Sequence, residues 1–282
     1  MSSAILHTIT PTSHDLGGMM VRRALPAPRF GMVGPFIFVD QFGPAEFPAD
    51  AALDIGPHPH IGIATVTWLF DGAIHHRDSL GTSAVIRPGQ VNLMTAGRGI
   101  THSERTPDEL KGQPKRIYGM QTWLALPDGL EDMAPAFESH ADLPLVEDGC
   151  ASARVIIGSL WGRTAPTTQH SPAIYADIVL APGGAIPIDP AATERAVMLV
   201  GGGAELDGTP LTLFTLNLLN AGSTLRLSSE TGGRVMLLGG EPLYTPRHIW
   251  WNFVSSSTER IRQAAADWQA GHFPPVPGDP GN

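Results

Sequence analysis

Short blocks of apolar residues, separated by turn-forming residues, are the dominant pattern in the first half of the chain. The blocks cover residues 36–39, 64–70, 84–86, 91–94 and 118–124. Each block has the length of a β-strand or less, and β-branched and aromatic residues are frequent in them. Asp71-Gly72 and Pro88-Gly89 supply backbone conformations that tight turns need. The pattern predicts many short strands joined by turns.

The same pattern returns in the second half of the chain after a looser stretch. One strand is predicted at 154–158, and the blocks then resume at 176–180, 196–200, 225–227 and 234–238. We therefore expect an N-terminal β domain at 1–130, a linker at 131–150 and a C-terminal β domain at 151–282. Residues 68–72 can be laid on residues 198–202 at an offset of 130 positions, which favours a distant internal duplication.

One short helix is predicted near the end of the sequence. Ser256 and Glu259 have capping-box spacing, and Gly271 is a suitable stop signal. The apolar residues that would share one face of this helix are Ile261, Ala264, Ala265 and Trp268. The proline-rich segment 274–280 cannot continue the helix, so we expect it to be extended or loose.

Composition narrows the class of protein. The chain has 282 residues, of which 42% are hydrophobic, and this is enough for one large domain or two ordinary ones. The 32 glycines and 26 prolines argue against many long helices and favour an all-β sandwich or barrel. Lys and Arg total 18 against 27 Asp and Glu, giving a net charge of -9, so we expect no direct nucleic-acid binding.

Other features of the sequence bear on location and chemistry. We find no basic cluster, no secretion signal and no apolar run of about 18 residues, so we expect a cytoplasmic protein without membrane binding. Cys150 is the single cysteine, which excludes an intrachain disulfide and a multi-cysteine metal site. Fingerprints of serine hydrolases, phosphate loops and dinucleotide sites are absent.

Two pairs of metal-ligating residue types have matching spacing. His58 and His60 form one pair, and His102 and Glu104 form the other. In a strand, residues two apart point to the same face, so the members of each pair would converge. Three imidazoles and a carboxylate suit a divalent transition metal and would leave one or two positions for water, substrate or dioxygen. The alternative is that each pair lies on the surface of a strand without a metal.

His75 and His76 are a weaker candidate pair. Adjacent residues of a strand point to opposite faces, so at most one of the two imidazoles could face the metal. Structural or exposed roles are the expectation for both. Between the main pairs, Gly97 and Gly99 allow the backbone to approach other groups closely.

Three segments together resemble the pirin family of bicupins. They are His58-Pro59-His60-Ile61-Gly62, residues 76–81 with the sequence HRDSLG, and residues 94–104 with the sequence MTAGRGITHSE. The third segment is highly specific. Residues 36–44 and 238–242 are also similar to the family, so the resemblance runs through most of the chain.

The resemblance implies an all-β fold with two cupin β-barrels in one chain. It also implies a metal, usually iron, in the N-terminal barrel, with His58, His60, His102 and Glu104 as its ligands. The offset of 130 positions places Ile188 and Pro190 opposite His58 and His60, so one metal per chain is expected. The ligand types alone would also accept manganese, nickel, copper or zinc.

Two departures from the family pattern lie close behind His60. Many pirins have an arginine where this chain has Ile61, and a glutamate where it has Ala64. Neither position is one of the four expected ligands. The departures remove a charge pair that could tune the metal, so they bear on metal preference and substrate class.

The resemblance leaves two main functions open. One is a metal-dependent dioxygenase acting on a quercetin-like flavonol or related aromatic, whose metal-bound hydroxyl would pass its proton to Glu104 before dioxygen attacks the ring. The other is a non-catalytic, iron-dependent redox sensor or transcription cofactor that acts through a protein partner. A third is a metal-dependent isomerase or hydrolase, which would not need dioxygen.

Overall fold

Short strands form most of the regular structure, as the apolar blocks predict. A computed structural model describes residues 4–279 and 281 of the chain. Up to residue 140 the strands are β1 (Ile5–Ile9), β2 (Thr12–Leu16), β3 (Met19–Leu25), β4 (Phe36–Phe47), β5 (Asp54–His60), β6 (Ile63–Asp71), β7 (Ile74–Asp78), β8 (Ser83–Ile86), β9 (Val91–Thr95), β10 (Ile100–Arg105), β11 (Lys115–Ala125) and β12 (Ala136–His140). A 3-10 turn covers Asp108–Leu110.

The second half of the chain continues in the same way and ends in a helix. Its strands are β13 (Leu145–Asp148), β14 (Ala151–Ile157), β15 (Ser159–Leu160), β16 (Arg163–Thr164), β17 (Ala173–Leu180), β18 (Ala185–Ile188), β19 (Glu194–Gly202), β20 (Glu205–Leu206), β21 (Thr209–Pro210), β22 (Leu216–Leu219), β23 (Leu225–Ser228), β24 (Gly233–Gly240), β25 (His248–Trp250) and β26 (Phe253–Ser255), followed by helix α1 (Thr258–Gln269). Each apolar block predicted from the sequence overlaps one of these strands.

Most of the strands form two pairs of sheets with corresponding strand orders, while β15-β16 and β25-β26 form separate two-stranded sheets. One pair consists of a seven-stranded sheet in the order β12-β9-β6-β11-β4-β3-β2 and a four-stranded sheet in the order β5-β10-β7-β8. The other consists of β1-β22-β19-β24-β17-β14-β13 and β18-β23-β20-β21. In this correspondence β6 matches β19, which are the two strands aligned by the offset of 130 positions. The shared order agrees with the expected duplication.

Contacts divide the chain into two units that are each discontinuous in sequence. The first, here called the histidine unit, contains His14–Val21, Phe42–Ala141 and Tyr244–Asn282. The second, here called the apolar unit, contains Met1–Ser13, Arg22–Gln41 and Asp142–Leu243.

The sequence predicts limits at 1–130, 131–150 and 151–282. The observed units differ from them, because residues 22–41 group with the apolar unit and residues 244–282 group with the histidine unit. The C-terminal segment groups with the histidine unit because Phe253 forms a bridge with Ile61. The segment 131–150, expected to be a linker, contributes β12 and β13 to the edges of the two large sheets.

Helix α1 is confirmed, but its first residue differs from the capping-box prediction. Ser257, not Ser256, is the N-cap, and its Oγ accepts a hydrogen bond from the Arg260 backbone N–H at 3.3 Å. Glu259 therefore lies one position too early to complete a capping box. Gly271 follows the helix with φ +72°, as a left-handed stop residue should.

The two units have different interiors. The apolar unit has a large cluster of buried aliphatic residues that includes Ile186, Ile188, Leu225 and Leu227. The histidine unit has a smaller apolar cluster, which includes Leu69, Ile74 and Ile86, and its interior also contains buried histidines. Among the described residues, no helix is both long enough and apolar enough to span a membrane.

Candidate metal centre

Strands β5 and β10 bring the two predicted ligand pairs together. The strands pair antiparallel, with His102 directly opposite His58 and Ile100 opposite His60. Residues directly opposite one another in such a pair carry their side chains on the same face. The register shifts between His102 and Glu104, because β10 advances by two residues there while β5 advances by three, from His58 to Ile55, which marks a bulge or irregularity in β5.

Three of the four predicted ligands form a tight group. The candidate ligand atoms of His58, His60 and His102 all lie within 4.8 Å of one another. The Nε2 atoms of His60 and His102 are 3.1 Å apart, and the ring centroids are separated by 4.3 to 5.1 Å. Within residues 4–279 and 281, no other cluster of this kind is found.

The other ring nitrogens are engaged by neighbouring groups. Nδ1 of His58 donates to the carbonyl oxygen of Gly56 at 2.9 Å, and Nδ1 of His60 donates to that of Asn252 at 3.3 Å. Since a carbonyl oxygen only accepts, a neutral ring in either position carries its lone pair on Nε2. Metal-bound histidines in proteins are oriented in this way, so the donor set fits a metal ion.

Burial keeps two of these imidazoles neutral. Desolvation, followed by the charge of His58, lowers the pKa of His60 well below its ordinary value, against a smaller opposing effect of the Asn252 carbonyl. The pKa of His102 is lowered in the same direction by burial and by His58, His60 and His76. A neutral imidazole has the free lone pair that metal binding requires.

Glu104 is buried next to the three histidines but is not part of their group. It lies on β10 opposite Ile55 on one side and His76 on the other. Burial raises the pKa of its carboxyl above the ordinary value, while the charges of His58 and His76 act in the opposite direction. Such a carboxylate is a better proton acceptor near neutral pH than an exposed one.

His76 is the site residue that the sequence did not assign. It is buried, whereas His75 is half-buried and contacts Ser83, so the pair does face in opposite directions. The ring of His76 stacks on Phe137 of β12, with centroids 4.7 Å apart. The sequence pattern that could have indicated a buried His76 is the spacing by two of Ile74, His76 and Asp78, which share the inward face of β7.

The surroundings of His60 are aromatic and apolar. The ring of Trp123 lies 5.0 Å from the ring of His60, in an edge-to-face arrangement. Ile61, which stands where many pirins have an arginine, is 1% exposed and packs with Phe253 and Ile261. Ala64 is buried as well. Both departures from the family pattern therefore place apolar side chains in packed positions.

The loop between β9 and β10 depends on Gly97. This residue has φ +51°, and a Cβ atom added to it would lie 2.1 Å from the carbonyl oxygen of Met133. Its own carbonyl accepts a hydrogen bond from the backbone N–H of Gly62, two residues after His60. The close backbone approach expected from the sequence is thus observed at this glycine.

The outer side of β10 holds the C-terminal segment. Asp279, whose side chain is fully buried, accepts hydrogen bonds from Ser103 Oγ at 2.7 Å and from Arg105 Nε at 2.8 Å. A second Arg105 nitrogen, Nη2, donates to the other Asp279 oxygen at 2.7 Å. The segment was expected to be extended or loose, and at Asp279 it is not loose, because three charge-assisted hydrogen bonds hold this residue on the strand that carries His102 and Glu104.

The corresponding strands of the apolar unit have no such ligands. Strand β18 pairs with β23, and Ile188 lies opposite Leu225 in the way that His58 lies opposite His102. These positions are buried and aliphatic. The structure therefore provides one candidate metal site among the described residues, as expected from the offset of 130 positions.

Comparisons with known proteins agree with this arrangement. The family profile described as Pirin matches residues 18–124, and the profile described as Pirin C-terminal cupin domain matches residues 175–274. A pirin-like protein of Caulobacter vibrioides is 45% identical over 264 residues, which cover 92% of this chain and 91% of that protein. The chain belongs to the pirin family.

Solved structures match the chain over nearly its whole length. A crystal structure of quercetin 2,3-dioxygenase from Acinetobacter baumannii is 36% identical with a TM-score of 0.92, and covers 99% of this chain and 93% of its own. A second quercetin 2,3-dioxygenase from that organism is 26% identical with a TM-score of 0.88, over 98% of each chain. The prediction of an all-β fold with two cupin domains and a C-terminal helix is confirmed.

Proposed function

We propose that the chain is a metal-dependent dioxygenase that acts on a quercetin-like flavonol or a related aromatic substrate. The observation that carries this proposal is the convergence of three imidazoles beside a buried carboxylate, with Nδ1 of two rings held by backbone carbonyls and Nδ1 of the third in contact with His76. The similarity to quercetin 2,3-dioxygenases of Acinetobacter baumannii supports the reaction class and the choice of substrate.

One divalent metal would be held by His58, His60, His102 and Glu104. We propose iron as this metal on the basis of the family. When bound, the metal supplies Lewis acidity and a redox path between the aromatic substrate and dioxygen. The neutral state of His60 and His102 favours binding without competition from protons.

The proposed catalytic role of Glu104 is to take the proton of a substrate hydroxyl. Its buried carboxyl has a raised pKa, so a carboxylate oxygen can hold that proton within the site. Trp123, which lies against His60, offers a flat apolar surface for an aromatic ring. Loss of the proton makes the aromatic ring electron-rich, which is the state that reacts with dioxygen.

Oxygen uptake with quercetin, measured on protein loaded with Fe(II), tests this function. We expect uptake by the wild type and its loss in His60→Ala, together with a lower metal-to-protein ratio. Glu104→Gln should reduce kcat by about 100-fold, because the amide cannot accept the proton. His75→Ala is the matched control, since His75 contacts Ser83 on the other face of β7, and it should keep wild-type uptake.

Absence of oxygen uptake would distinguish the two functions. Fully metallated wild type that consumes no oxygen with quercetin or a panel of other flavonols would contradict the proposed dioxygenase. A partner-binding change between the Fe(II) and Fe(III) forms, without turnover, would instead support the redox sensor.

A further inference from the structure

His76 lies against His102 but outside the group of three converging histidines. Only 3% of its surface is exposed, and its strand β7 pairs with β10. Its Nδ1 lies 3.4 Å from Nδ1 of His102, and its Nε2 lies 3.1 Å from Oδ2 of Asp78. One imidazole thus connects a buried carboxylate to a candidate metal ligand.

The chemistry of Asp78 decides the direction of these hydrogen bonds. An ionised carboxylate only accepts, so a single proton on His76 must sit on Nε2 and donate to Asp78. Nδ1 of His76 then has a lone pair and accepts from Nδ1 of His102. The remaining nitrogen of His102, Nε2, is left with the lone pair that faces Nε2 of His60 at 3.1 Å.

Asp78 is fixed by the backbone that follows it. Its Oδ1 accepts from the backbone N–H of Leu80 at 2.9 Å and from that of Thr82 at 3.0 Å. Two backbone N–H donors on one oxygen favour the ionised carboxylate, which is the stronger acceptor. The ring of His76 is held in place by stacking on Phe137.

His102 differs in this respect from the other two histidines. Nδ1 of His58 and Nδ1 of His60 each meet a backbone carbonyl, which no side-chain substitution removes. Nδ1 of His102 meets a side chain, and an imidazole can either donate or accept. The proton position on His102 therefore depends on His76 and, through it, on Asp78.

We propose that His76, anchored by Asp78, is a positioning residue that keeps the proton of His102 on Nδ1 and leaves Nε2 to bind the metal. The inference rests on the proposed metal site, but it also makes a statement about the metal-free protein that can be tested separately. Partners of this kind orient metal-bound histidines in other proteins and set their basicity.

Asp78→Asn is the sharpest variant because it changes the direction of the hydrogen bonds without changing the shape. The backbone N–H groups of Leu80 and Thr82 keep the amide oxygen on their side, so the amide NH₂ faces His76. Nε2 of His76 must then accept, and its Nδ1 carries the proton. That proton points at Nδ1 of His102, which moves the proton of His102 to Nε2, the atom needed by the metal.

The first measurement is the tautomer of His102 in metal-free protein, read from ¹⁵N chemical shifts of the ring nitrogens and assigned with His102→Gln. We expect a protonated Nδ1 in the wild type and a protonated Nε2 in Asp78→Asn. A protonated Nε2 on His102 of the wild type would overturn the proposal, whatever the metal-binding result.

The second measurement is the affinity for Co(II), determined by competition with a chelator. Asp78→Asn and His76→Phe should bind about 10- to 100-fold more weakly than the wild type. His76→Asn should restore most of the affinity, because its amide oxygen accepts at about the position of Nδ1. His75→Phe is the control and should bind like the wild type, since its side chain lies on the other face of β7.

The outcomes separate this inference from the proposed function. Wild-type affinity in both Asp78→Asn and His76→Phe would overturn the positioning role while leaving the metal site intact. A wild type that binds neither Co(II) nor Fe(II) would contradict the proposed function. The tautomer of His102 in the metal-free protein would still show whether His76 has its positioning role. Thermal unfolding of each variant shows that a weak affinity does not come from a failure to fold.

Discussion

Asp279 shows what one buried carboxylate contributes to this fold. Hydrogen bonds from Arg105 hold the pKa of Asp279 well below its ordinary value of 3.8, burial opposes them, and Ser103 adds to the lowering. A carboxyl with a lower pKa in the folded state stabilises the protein at pH values above the unfolded pKa. That contribution disappears as the pH falls through the folded pKa.

We expect Asp279→Asn to lower the free energy of unfolding by about 2 kcal/mol at pH 7, because it removes charge-assisted hydrogen bonds. The difference from the wild type should narrow as the pH falls below 3.8, the ordinary pKa of the group. Urea unfolding at several pH values measures both effects. Asp50→Asn, at an exposed position, is the control, and a difference that does not change with pH would contradict the assignment.

The sequence could identify the three clustered histidines but not the residues that position them. Spacing by two predicts that His58 and His60 share a face, and this is a local property of any strand. The role of His76 depends on which face of β7 is buried and on the register between β7 and β10. Asp279 contacts β10 from 174 positions away in sequence, so no local pattern could show it.

At the scale of elements, the loop from β9 to β10 places a strict requirement on Gly97. We expect Gly97→Ala to destabilise the protein by about 3 kcal/mol, because the Cβ would meet the Met133 carbonyl and φ is positive. Gly89→Ala is the matched control, since φ is +85° there but nothing lies within 4 Å. Gly89→Ala should lower the free energy of unfolding by only about 1 kcal/mol. Equal thermal shifts in the two variants would count against this explanation.

The start of helix α1 gives a second test. Ser257→Ala should reduce stability by about 1 kcal/mol, since Ser257 Oγ accepts from the Arg260 backbone N–H. Ser256→Ala should have almost no effect, because the Ser256 contact to Glu131 is made by the backbone N–H. Denaturant melts of the two variants compare these positions directly, and a larger loss in Ser256→Ala would favour the capping box expected from the sequence.

Elements themselves were predictable because their signals are local. Apolar blocks bounded by turn residues located the strands, and the one-sided apolar pattern located α1. The cap was misplaced because Ser256 and Ser257 both have a suitable side chain. The registers that bring β5, β10 and β7 together arise from long-range packing, which the blocks do not encode.

At the scale of the whole molecule, the duplicated sheet order and the exchange of segments have different origins. The repeat left a trace in the sequence, because β6 and β19 both end in a glycine-containing turn. The exchange of segments has no such pattern in the sequence. Tyr244–Asn282 follows the second repeat in the chain and yet groups with the histidine unit. Dividing the chain into consecutive domains could not describe this arrangement.

Ending the chain at Leu243 should therefore disable the proposed metal site, although all four expected ligands remain. The variant lacks the Asn252 carbonyl that holds His60, the apolar cover on Ile61, and Asp279. We expect a metal-to-protein ratio near zero and rapid proteolysis within residues 42–141. A chain ending at Phe273, which keeps α1, should retain metal with reduced stability; normal metal content in both shortened chains would refute the role of this segment.

The discontinuous histidine unit also has a consequence for how the protein is made. Residues 42–141 leave the ribosome before their partners in Tyr244–Asn282, which follow only after about a hundred further residues. At typical rates of translation this delay lasts roughly 5 to 20 seconds. During that interval Ile61 and His60 lack the segment that covers them, so newly made chains should depend on chaperones and acquire metal only after synthesis has passed Phe273.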